Sequence, residues 1–166
     1  MNVISFICKI FRKIKNIIFI NTKKILYKNL KIGHNLSFRK SLIINCTKSA
    51  KILIGDNVFF NNYCSLNSHH LISIGNDCIF GENVKIYDHN HVFYKKNIKI
   101  SKQGFSDGKI EIGKNCWFGS NVVILPNTKI GDNVVVAAGV VLNGNIPSNC
   151  IIKLGKNYYI EKINYK

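Results

Sequence analysis

The sequence has few acidic residues and very few prolines. Of its 166 residues, only 8 are Asp or Glu, against 24 Lys and Arg, and only 2 are Pro. The scarcity of proline, together with only 12 glycines, excludes collagen-like and proline-rich chains. Because 46% of the residues are hydrophobic, the chain can bury a core, and wholesale disorder is excluded as well. The length allows one compact domain with a short appendage.

Acidic residues are missing altogether from the N-terminal third. Residues 1–55 contain 12 Lys and Arg and no Asp or Glu, whereas residues 56–166 contain the other 12 basic residues and all 8 acidic ones. The formal charge of +16 therefore falls largely on the first third, and the remainder carries only +4. A nucleic-acid-binding protein would be expected to show a recognised motif and a different distribution of charge. We expect no nucleic-acid partner.

Long apolar runs and paired cysteines are also absent from the sequence. No apolar stretch approaches the ~20 residues that span a bilayer, and no basic region precedes the first apolar residues, as it would in a cleaved signal peptide. The six cysteines form no CxxC pair and no metal-ligand spacing. We therefore expect a cytoplasmic protein with reduced thiols and no metal.

Residues 1–30 are predicted to form a basic amphipathic helix. Its apolar residues recur every three or four positions, and they are Ile4, Ile7, Phe11, Ile14, Ile17 and Ile18. Two interpretations of this stripe remain open. Either it packs on the rest of the domain or on a neighbouring subunit, or the helix lies on an anionic membrane surface, which residues 1–28 would contact.

Residues 31–150 are built on a six-residue period. An aliphatic or aromatic residue returns at every sixth position, at Ile112, Phe118, Ile124, Ile130, Val136 and Leu142. A second, offset series of small or β-branched residues has the same period, at Cys116, Val122, Thr128, Val134, Val140 and Ile146. Glycine often follows the first series, and earlier copies of the unit begin at Ile32, Ile54 and Ile74.

A period of six fits neither an α-helix nor an ordinary alternating strand. It fits short strands separated by corners, where we expect glycine to let the backbone bend. Three strands close one triangular coil, and stacked coils bury a continuous core. The predicted fold is therefore all-β, a parallel β-helix over residues 31–150, with residues 151–166 as a C-terminal tail.

The period is lost in one segment, residues 87–109, which is polar and contains Asp88-His89-Asn90-His91. An insertion in a coil must project as a loop, and projecting loops on a rigid scaffold commonly carry function. Histidine suits a general base because its unperturbed pKa of about 6.5 leaves it neutral at cellular pH. Asp88 is a candidate to orient one of the two imidazoles.

The run from Cys116 to Pro126, continuing through Ile130-Gly131-Asp132-Asn133 to Ala137-Ala138-Gly139, resembles the hexapeptide-repeat acyltransferases. The resemblance covers residues 52–150 and favours the branch of galactoside, maltose and surface-polysaccharide O-acetyltransferases. It implies a left-handed β-helix, acetyl-CoA as the acyl donor, and a homotrimer with active sites between subunits.

The resemblance also implies roles for residues that would act on the acceptor. It places the catalytic base at His91, and His89 is the residue that an error of one strand register would select instead. Asn61 falls where the family has an asparagine that holds the acceptor hydroxyl. Trp117 falls where the family has an aromatic residue beside the active site.

Four further residues are candidates for binding acetyl-CoA. Ser120 and Ala138 match family positions whose backbone contacts the acyl thioester or the pantetheine arm, and the Ser120 N–H is a candidate donor to the oxyanion. The family's Thr-Lys before Ile146-Pro147 is absent here. We expect Lys153 and Lys156 to substitute as cations near the CoA phosphates.

The sequence therefore predicts an acetyl-CoA-dependent O-acetyltransferase. The acceptor would be a sugar hydroxyl of a bacterial surface glycan (capsule, lipooligosaccharide or O-antigen) or of its precursor, with direct transfer and no acyl-enzyme. The alternatives are N-acetylation of a nucleotide-linked amino sugar and a non-catalytic β-helix scaffold. We expect a cytoplasmic location, with the N-terminal helix as the means of a peripheral position at the inner face of the cytoplasmic membrane.

Overall fold

The chain folds into one N-terminal helix followed by a stack of short strands. The structure is a computed structural model that describes residues 3–154, apart from the side chains of residues 3–6 and of Lys9. The helix is α1 (Val3–Leu26), and three successive strands make one coil of the stack. The first three coils contain β1 (Leu30–Ile32), β2 (Ser37–Phe38) and β3 (Ile43–Cys46); β4 (Lys51–Ile54), β5 (Phe59–Phe60) and β6 (Ser65–Ser68); β7 (Leu71–Ile74), β8 (Ile79–Phe80) and β9 (Lys85–Tyr87).

The stack continues after an insertion. The inserted elements are β10 (His89–His91), a 3-10 helix (Ile100–Lys102) and β11 (Phe105–Asp107). The remaining coils contain β12 (Lys109–Ile112), β13 (Trp117–Phe118) and β14 (Val123–Ile124); β15 (Thr128–Ile130), β16 (Val135–Val136) and β17 (Val141–Leu142); β18 (Asn145–Ile146) and β19 (Ile151–Ile152).

The coils stack into three parallel sheets, which form the faces of a triangular prism. Face A consists of β1, β4, β7, β12, β15 and β18; face B of β2, β5, β8, β13, β16 and β19; face C of β3, β6, β9, β14 and β17. Each strand pairs in parallel with the strand one coil away, as β4 does with β7 and β7 with β12. The predicted parallel β-helix is confirmed.

Each face contributes a column of apolar side chains to the core. On face B the rings of Phe60, Phe80 and Phe118 stack with centroids 4.5 Å and 4.8 Å apart. The first predicted series is buried throughout: Ile112, Phe118, Ile124, Ile130, Val136 and Leu142. The offset series is buried as well, except for the half-buried Ile146. Each fully buried side chain of this size stabilises the fold by roughly 1.5–3 kcal/mol.

The bend between faces A and B falls on asparagine rather than on glycine. Asn115 and Asn133 have φ angles of 55° and 57°, a region that asparagine tolerates better than most residues. Asn115 Nδ2 also donates to Asn133 Oδ1 at 2.9 Å. Gly113 is needed for another reason, because a Cβ there would lie 2.6 Å from the backbone of Gly131. The expectation that glycine makes this bend is therefore wrong, since glycine here lets the coils stack closely.

Helix α1 packs on the first coil through its C-terminal half. The Phe19 ring meets the Phe38 ring edge to face, with centroids 5.0 Å apart. Asn16 is buried, and its Nδ2 donates to the Phe38 carbonyl at 3.0 Å. The apolar stripe faces away from this contact, and its described members are all exposed: Ile7, Phe11, Ile14, Ile17 and Ile18. Apart from Ile17, which lines a cleft against Gly33 and Leu36 of the first coil, the described stripe therefore does not pack on the rest of its own chain.

The insertion projects from the corner between faces C and A as an antiparallel hairpin. It starts after β9, and β10 pairs with β11 in the register His89↔Asp107 and His91↔Phe105. The coil resumes in phase, because Ile110 of β12 lies in register with Ile72 of β7. The hairpin therefore extends the molecule without disturbing the stack.

Candidate active site

The hairpin presents several functional side chains on one face. Residues two apart on a strand point to the same side, as do residues directly opposite on a paired strand. His89 and His91 on β10 therefore share a face with Asp107 and Phe105 on β11. The Phe105 ring lies 4.4 Å from the His91 ring and 5.5 Å from the His89 ring, measured between centroids. The strand pairing thus gathers both predicted imidazoles around one aromatic ring.

The far end of the hairpin is ordered by a glutamine. Gln103 is buried, and its Oε1 accepts from the backbone N–H of Lys95 at 2.9 Å. Its Nε2 donates to the carbonyls of Ile98 and Lys95 at 2.7 Å and 3.1 Å. These bonds satisfy backbone groups in a segment that contains no strand, and they fix the connection between β10 and β11.

Asp88 is a fully buried carboxylate at the base of the hairpin. Its Oδ2 accepts from the Ser68 hydroxyl at 2.6 Å and from the His70 N–H at 2.9 Å. Its Oδ1 accepts from the His69 N–H at 2.7 Å and lies 3.1 Å from Nδ1 of His89. Burial acts to raise the pKa of Asp88, but these hydrogen bonds outweigh burial and lower it below its usual value. The carboxylate is therefore held in its charged form.

The predicted role of Asp88 in orienting an imidazole fits its contact with His89. A carboxylate beside Nδ1 favours the proton on that nitrogen, which leaves Nε2 of the neutral ring as an acceptor. The His89 ring is also stacked on that of His69, with centroids 3.5 Å apart and planes within 4° of parallel. His69 has its own carboxylate, since its Nδ1 lies 3.3 Å from Oδ1 of Asp107.

Sequence reasoning missed His69 as a site residue. His69 stands on the coil below the hairpin, 20 residues before His89, and its side chain is 23% exposed. The repeat units that begin at Ile54 and Ile74 are also 20 residues apart. A coil of this length places His69 directly beneath His89. Attention to the coil length would have found it.

His91 differs from His89 in its surroundings. It is exposed, and its described contact is with the Phe105 ring. A general base must reach the substrate, and such groups often gain their hydrogen bonds only when substrate is bound. His91 is thus accessible, whereas His89 is fixed by Asp88 and His69.

Trp117 and Asn61 lie on face B and at the corner between faces B and C. Trp117 on β13 is exposed by 55%, which leaves its ring available to a ligand. Asn61 follows β5 and is half-buried, and its Oδ1 accepts from the N–H of Asn62 at 2.9 Å. The hairpin leaves from the other corner of face C, between faces C and A. The structure therefore does not bring Asn61 and His91 together at one corner of the chain.

Ser120 and Ala138 stack at this B–C corner in successive coils. The Ser120 carbonyl accepts from the Gly139 N–H at 2.8 Å, and the Ser120 hydroxyl accepts from the Glu82 N–H at 3.2 Å. Within residues 3–154 the Ser120 N–H has no acceptor. Glycine at position 119 lets the two coils stack closely at this corner, because a Cβ there would lie 2.5 Å from the Ala138 nitrogen.

The two predicted cations are placed differently by the structure. Lys153 is exposed just after β19, at the end of the stack where the coils near Ala138 lie. Lys156 lies outside the described residues. Across the described range, no group of three or more His, Cys, Asp or Glu side chains is arranged to hold a metal ion.

The cysteines are free, and four of them are buried in the core: Cys46, Cys64, Cys78 and Cys116. Burial raises the pKa of Cys46 and of Cys64. A buried thiol with a raised pKa is a poor nucleophile. Cys46 and Cys64 therefore act as core residues and not as nucleophiles. The hydrogen bond with the Cys78 thiol lowers the pKa of Cys116 to about 7, but Cys116 is buried in the core as well.

Two clefts lie side by side along face C below the hairpin. The upper one has a volume of about 340 Å³ and reaches from His89 and His69 down to Tyr27. The lower one, of about 660 Å³, begins at Tyr27 and continues to Lys28 and Lys48. Both are lined by Tyr27, Cys46 and Thr47, so the two clefts adjoin, and together they are called the groove. Over the described range, no helix is both long enough and apolar enough to cross a bilayer.

Comparison with known proteins identifies the repeat. Residues 109–144 match the family model "Bacterial transferase hexapeptide (six repeats)". The chain is 29% identical over 145 residues to WbbJ of Escherichia coli K12, which is provisionally named a lipopolysaccharide biosynthesis O-acetyl transferase. This match covers 83% of the chain and 74% of WbbJ.

Two solved acetyltransferases share the fold. A maltose O-acetyltransferase from Clostridium difficile 630 is 29% identical with a TM-score of 0.64, over 78% of this chain and 67% of that one. A galactoside acetyltransferase, solved in complex with coenzyme A, is 28% identical with a TM-score of 0.63, over 73% of this chain and 58% of that one. The prediction made from the repeat and from the run at Cys116 is confirmed in two respects: residues 109–144 carry the hexapeptide repeat of bacterial transferases, and the chain has the left-handed β-helix fold of these solved acetyltransferases.

Proposed function

We propose that this protein transfers an acetyl group from acetyl-CoA to a sugar hydroxyl of a bacterial surface glycan or of its precursor. The observation that carries the proposal is the cluster of imidazoles and carboxylates at the base of the hairpin, where Asp88 fixes His89 beside the exposed His91. The names of the relatives support the acceptor class, because WbbJ is named for lipopolysaccharide biosynthesis and the two solved enzymes for maltose and galactoside.

In this proposal His91 is the general base. Its neutral imidazole accepts the proton of the acceptor hydroxyl while the oxygen attacks the thioester carbon. The tetrahedral intermediate then collapses, the C–S bond breaks, and the proton passes to the departing CoA thiolate. Acceptor, acetyl-CoA and enzyme form one ternary complex, and no acyl-enzyme is needed. Asn61 would hold the acceptor hydroxyl, and Trp117 would form a wall of its cleft.

The B–C corner is the proposed site of the thioester. The Ser120 N–H, which has no acceptor among the described residues, would donate to the oxyanion. The backbone at Ala138, one coil further along, would contact the pantetheine arm. Lys153, and Lys156 beyond the described range, would meet the CoA phosphates.

We propose a homotrimer because these groups are divided between two corners of the prism. Within one chain, face C lies between the corner of Ser120 and the corner that carries the hairpin. A second copy that sets its B–C corner against the hairpin would complete the site. Sedimentation analysis should then show a trimer, and a fully active monomer would contradict the shared site.

We propose a peripheral membrane position for α1. Its described stripe of exposed apolar residues points away from the β-helix, and residues 1–55 contain no acidic side chain. Apolar burial and attraction of Lys and Arg to anionic lipid, ~1 kcal/mol for each, would act together. Removing residues 1–28 would also expose the first coil, so Ile14→Gln with Ile18→Gln is the better test. This variant should lose binding to phosphatidylglycerol vesicles and keep its activity on a soluble acceptor.

The product assay tests the proposed function directly. The protein is incubated with acetyl-CoA and a panel of neutral oligosaccharides and one nucleotide-linked amino sugar, and the products are identified by mass spectrometry. O-acetylated oligosaccharide is the expected product. An N-acetylated nucleotide sugar alone would assign the alternative reaction. Absence of both products and of acetyl-CoA binding would indicate a non-catalytic scaffold.

A further inference from the structure

The groove along face C has no assigned ligand. It runs from the imidazole cluster at the hairpin to two lysines near the end of α1, Lys28 and Lys48. Its walls include Tyr87 on β9, Asn67 on β6 and Asn45 on β3, which lie in register one above another. Neighbouring coils are separated by about 4.8 Å, so these three residues alone span roughly 10 Å, longer than one pyranose ring.

The chemistry of the middle of the groove suits sugar. Asn45 Nδ2 donates to Asn67 Oδ1 at 2.8 Å, which leaves Oδ1 of Asn45 and Nδ2 of Asn67 available to hydroxyl groups. Tyr27 and Tyr87 add aromatic surface with a polar end. Two amides flanked by two aromatic rings are appropriate for a ligand that presents apolar C–H faces and hydroxyl edges.

The lower end of the groove is cationic. Lys28 and Lys48 are exposed, and within residues 3–154 neither amine takes part in an ion pair. Lys23, which lies nearby, is different because its Nζ already donates to the Ile44 carbonyl at 3.0 Å. Among the described residues, no Asp or Glu lines either cleft. Two unpaired amines without a neighbouring acid favour an anionic group such as a phosphate.

We infer that the groove binds an oligosaccharide joined at its far end to a phosphate. The sugar to be acetylated lies at the hairpin, the next units follow Asn67 and Asn45, and the phosphate meets Lys28 and Lys48. This inference rests on the proposed function for the identity of the reaction, but the groove and its lysines are independent of it. The shared chemistry is a glycosyl phosphate, which either a nucleotide or a lipid carrier can supply.

The test compares maltotriose with maltotriose 1-phosphate in the full-length protein. Wild type should bind the phosphate ester about tenfold more tightly than the neutral sugar in titration calorimetry at low salt, and the preference should shrink at high salt. Lys28→Ala with Lys48→Ala should lose the preference and leave the neutral sugar unchanged. The matched control, Lys31→Ala with Lys129→Ala, removes the same charge from face A and should keep the preference.

Equal binding of the two sugars by wild type, or a preference that survives in Lys28→Ala with Lys48→Ala, would overturn the inference. Binding is measured without acetyl-CoA, so its result does not depend on whether acetyl transfer occurs. Failure of the groove inference can therefore be told apart from failure of the proposed function. The titration is repeated with coenzyme A present. Coenzyme A displaces maltotriose 1-phosphate if the phosphate is bound in the CoA site, and it leaves the binding unchanged if the phosphate lies at Lys28 and Lys48. A further arm compares the same trisaccharide linked to uridine diphosphate and to a short prenyl diphosphate. Tighter binding of one of them identifies the carrier.

Discussion

The rings of His69 and His89 lie face to face, with centroids 3.5 Å apart, and each imidazole has its own carboxylate. Asp88 holds His89 from within the coil, and Asp107 holds His69 from the hairpin. The two pairs therefore join the hairpin to the coil beneath it. This junction determines where the exposed His91 stands, and the first two predictions depend on it.

His91→Ala should lower kcat by about 10²- to 10⁴-fold, because the acceptor hydroxyl loses its general base. Binding of acetyl-CoA should remain near wild type, since its proposed contacts lie at the other corner of face C. Steady-state kinetics and calorimetry measure the two effects. His34→Ala, at an exposed position on the first coil, is the control and should leave both kcat and acetyl-CoA binding unchanged. Wild-type turnover in His91→Ala, with a collapse only in His89→Ala, would move the base to His89.

His69→Ala should lower kcat by about tenfold through loosening of the hairpin, with little change in acetyl-CoA binding. His69 acts here as a positioning residue, so rescue by a conservative variant is the informative measurement. In His69→Asn the side-chain amide replaces Nδ1 as a donor to Asp107, and most of kcat should return. His70→Ala changes the exposed neighbour and serves as the control. Equal loss in the Ala and Asn variants would show that the contact with Asp107 is irrelevant.

Asp88→Asn should destabilise the protein by about 2 kcal/mol at pH 7, because an amide cannot accept all the hydrogen bonds that the carboxylate receives. The pKa of Asp88 is lower in the folded state, so its charge stabilises the fold above the ordinary Asp pKa of about 3.9. That contribution begins to fade as the pH falls below about 4, and it is lost below the pKa of the folded state. Urea denaturation of both proteins between pH 7 and pH 2.5 should show the difference shrinking.

A suitable comparison for Asp88→Asn is Asp77→Asn. Asp77 is exposed with a φ of 61°, and asparagine occupies the same corner in other coils. This variant should be nearly as stable as wild type at pH 7. A constant difference between wild type and Asp88→Asn across the acid range would contradict the lowered pKa.

Gly75→Ala should destabilise the stack by about 2–4 kcal/mol. Its new Cβ would lie 2.7 Å from the carbonyl of Gly113 in the next coil, and backbone atoms cannot move aside without breaking the register. Gly104→Ala provides the contrast, since no atom lies within 4 Å and only its φ of 85° is unfavourable, which costs about 1–2 kcal/mol. Thermal unfolding of the two variants compares them, and equal losses would show that close stacking is not the reason for Gly75.

The core could be predicted from the sequence because a period of six repeats the same environment many times. Phe118 and Ile124 are buried as expected, since each coil needs an apolar side chain at that point. The function of Gly113 could not be predicted in the same way, because both a bend and a close approach select glycine. Only the φ angles of Asn115 and Asn133 separate these two reasons.

The site was less predictable than the core because its members come from different coils. The hairpin, Asp88 and His89 follow one another in sequence, so their proximity was expected. His69 belongs to the previous coil, and Asp107 returns from the far strand of the hairpin. Their contact depends on the pairing of β10 with β11, which no repeat in the sequence specifies. The direction in which the apolar stripe of α1 points likewise depends on which side of the helix packs against Phe38.

The in-phase return of the coil after the hairpin has a consequence for specificity. Ile72 and Ile110 pair as though the residues between β9 and β12 were absent, so the scaffold places little demand on what is inserted there. A hairpin of another length or composition can be exchanged at this corner while the columns of Phe80 and Phe118 stay packed. The chain is thus organised as a fixed stack of coils whose register does not depend on the insertion between β9 and β12.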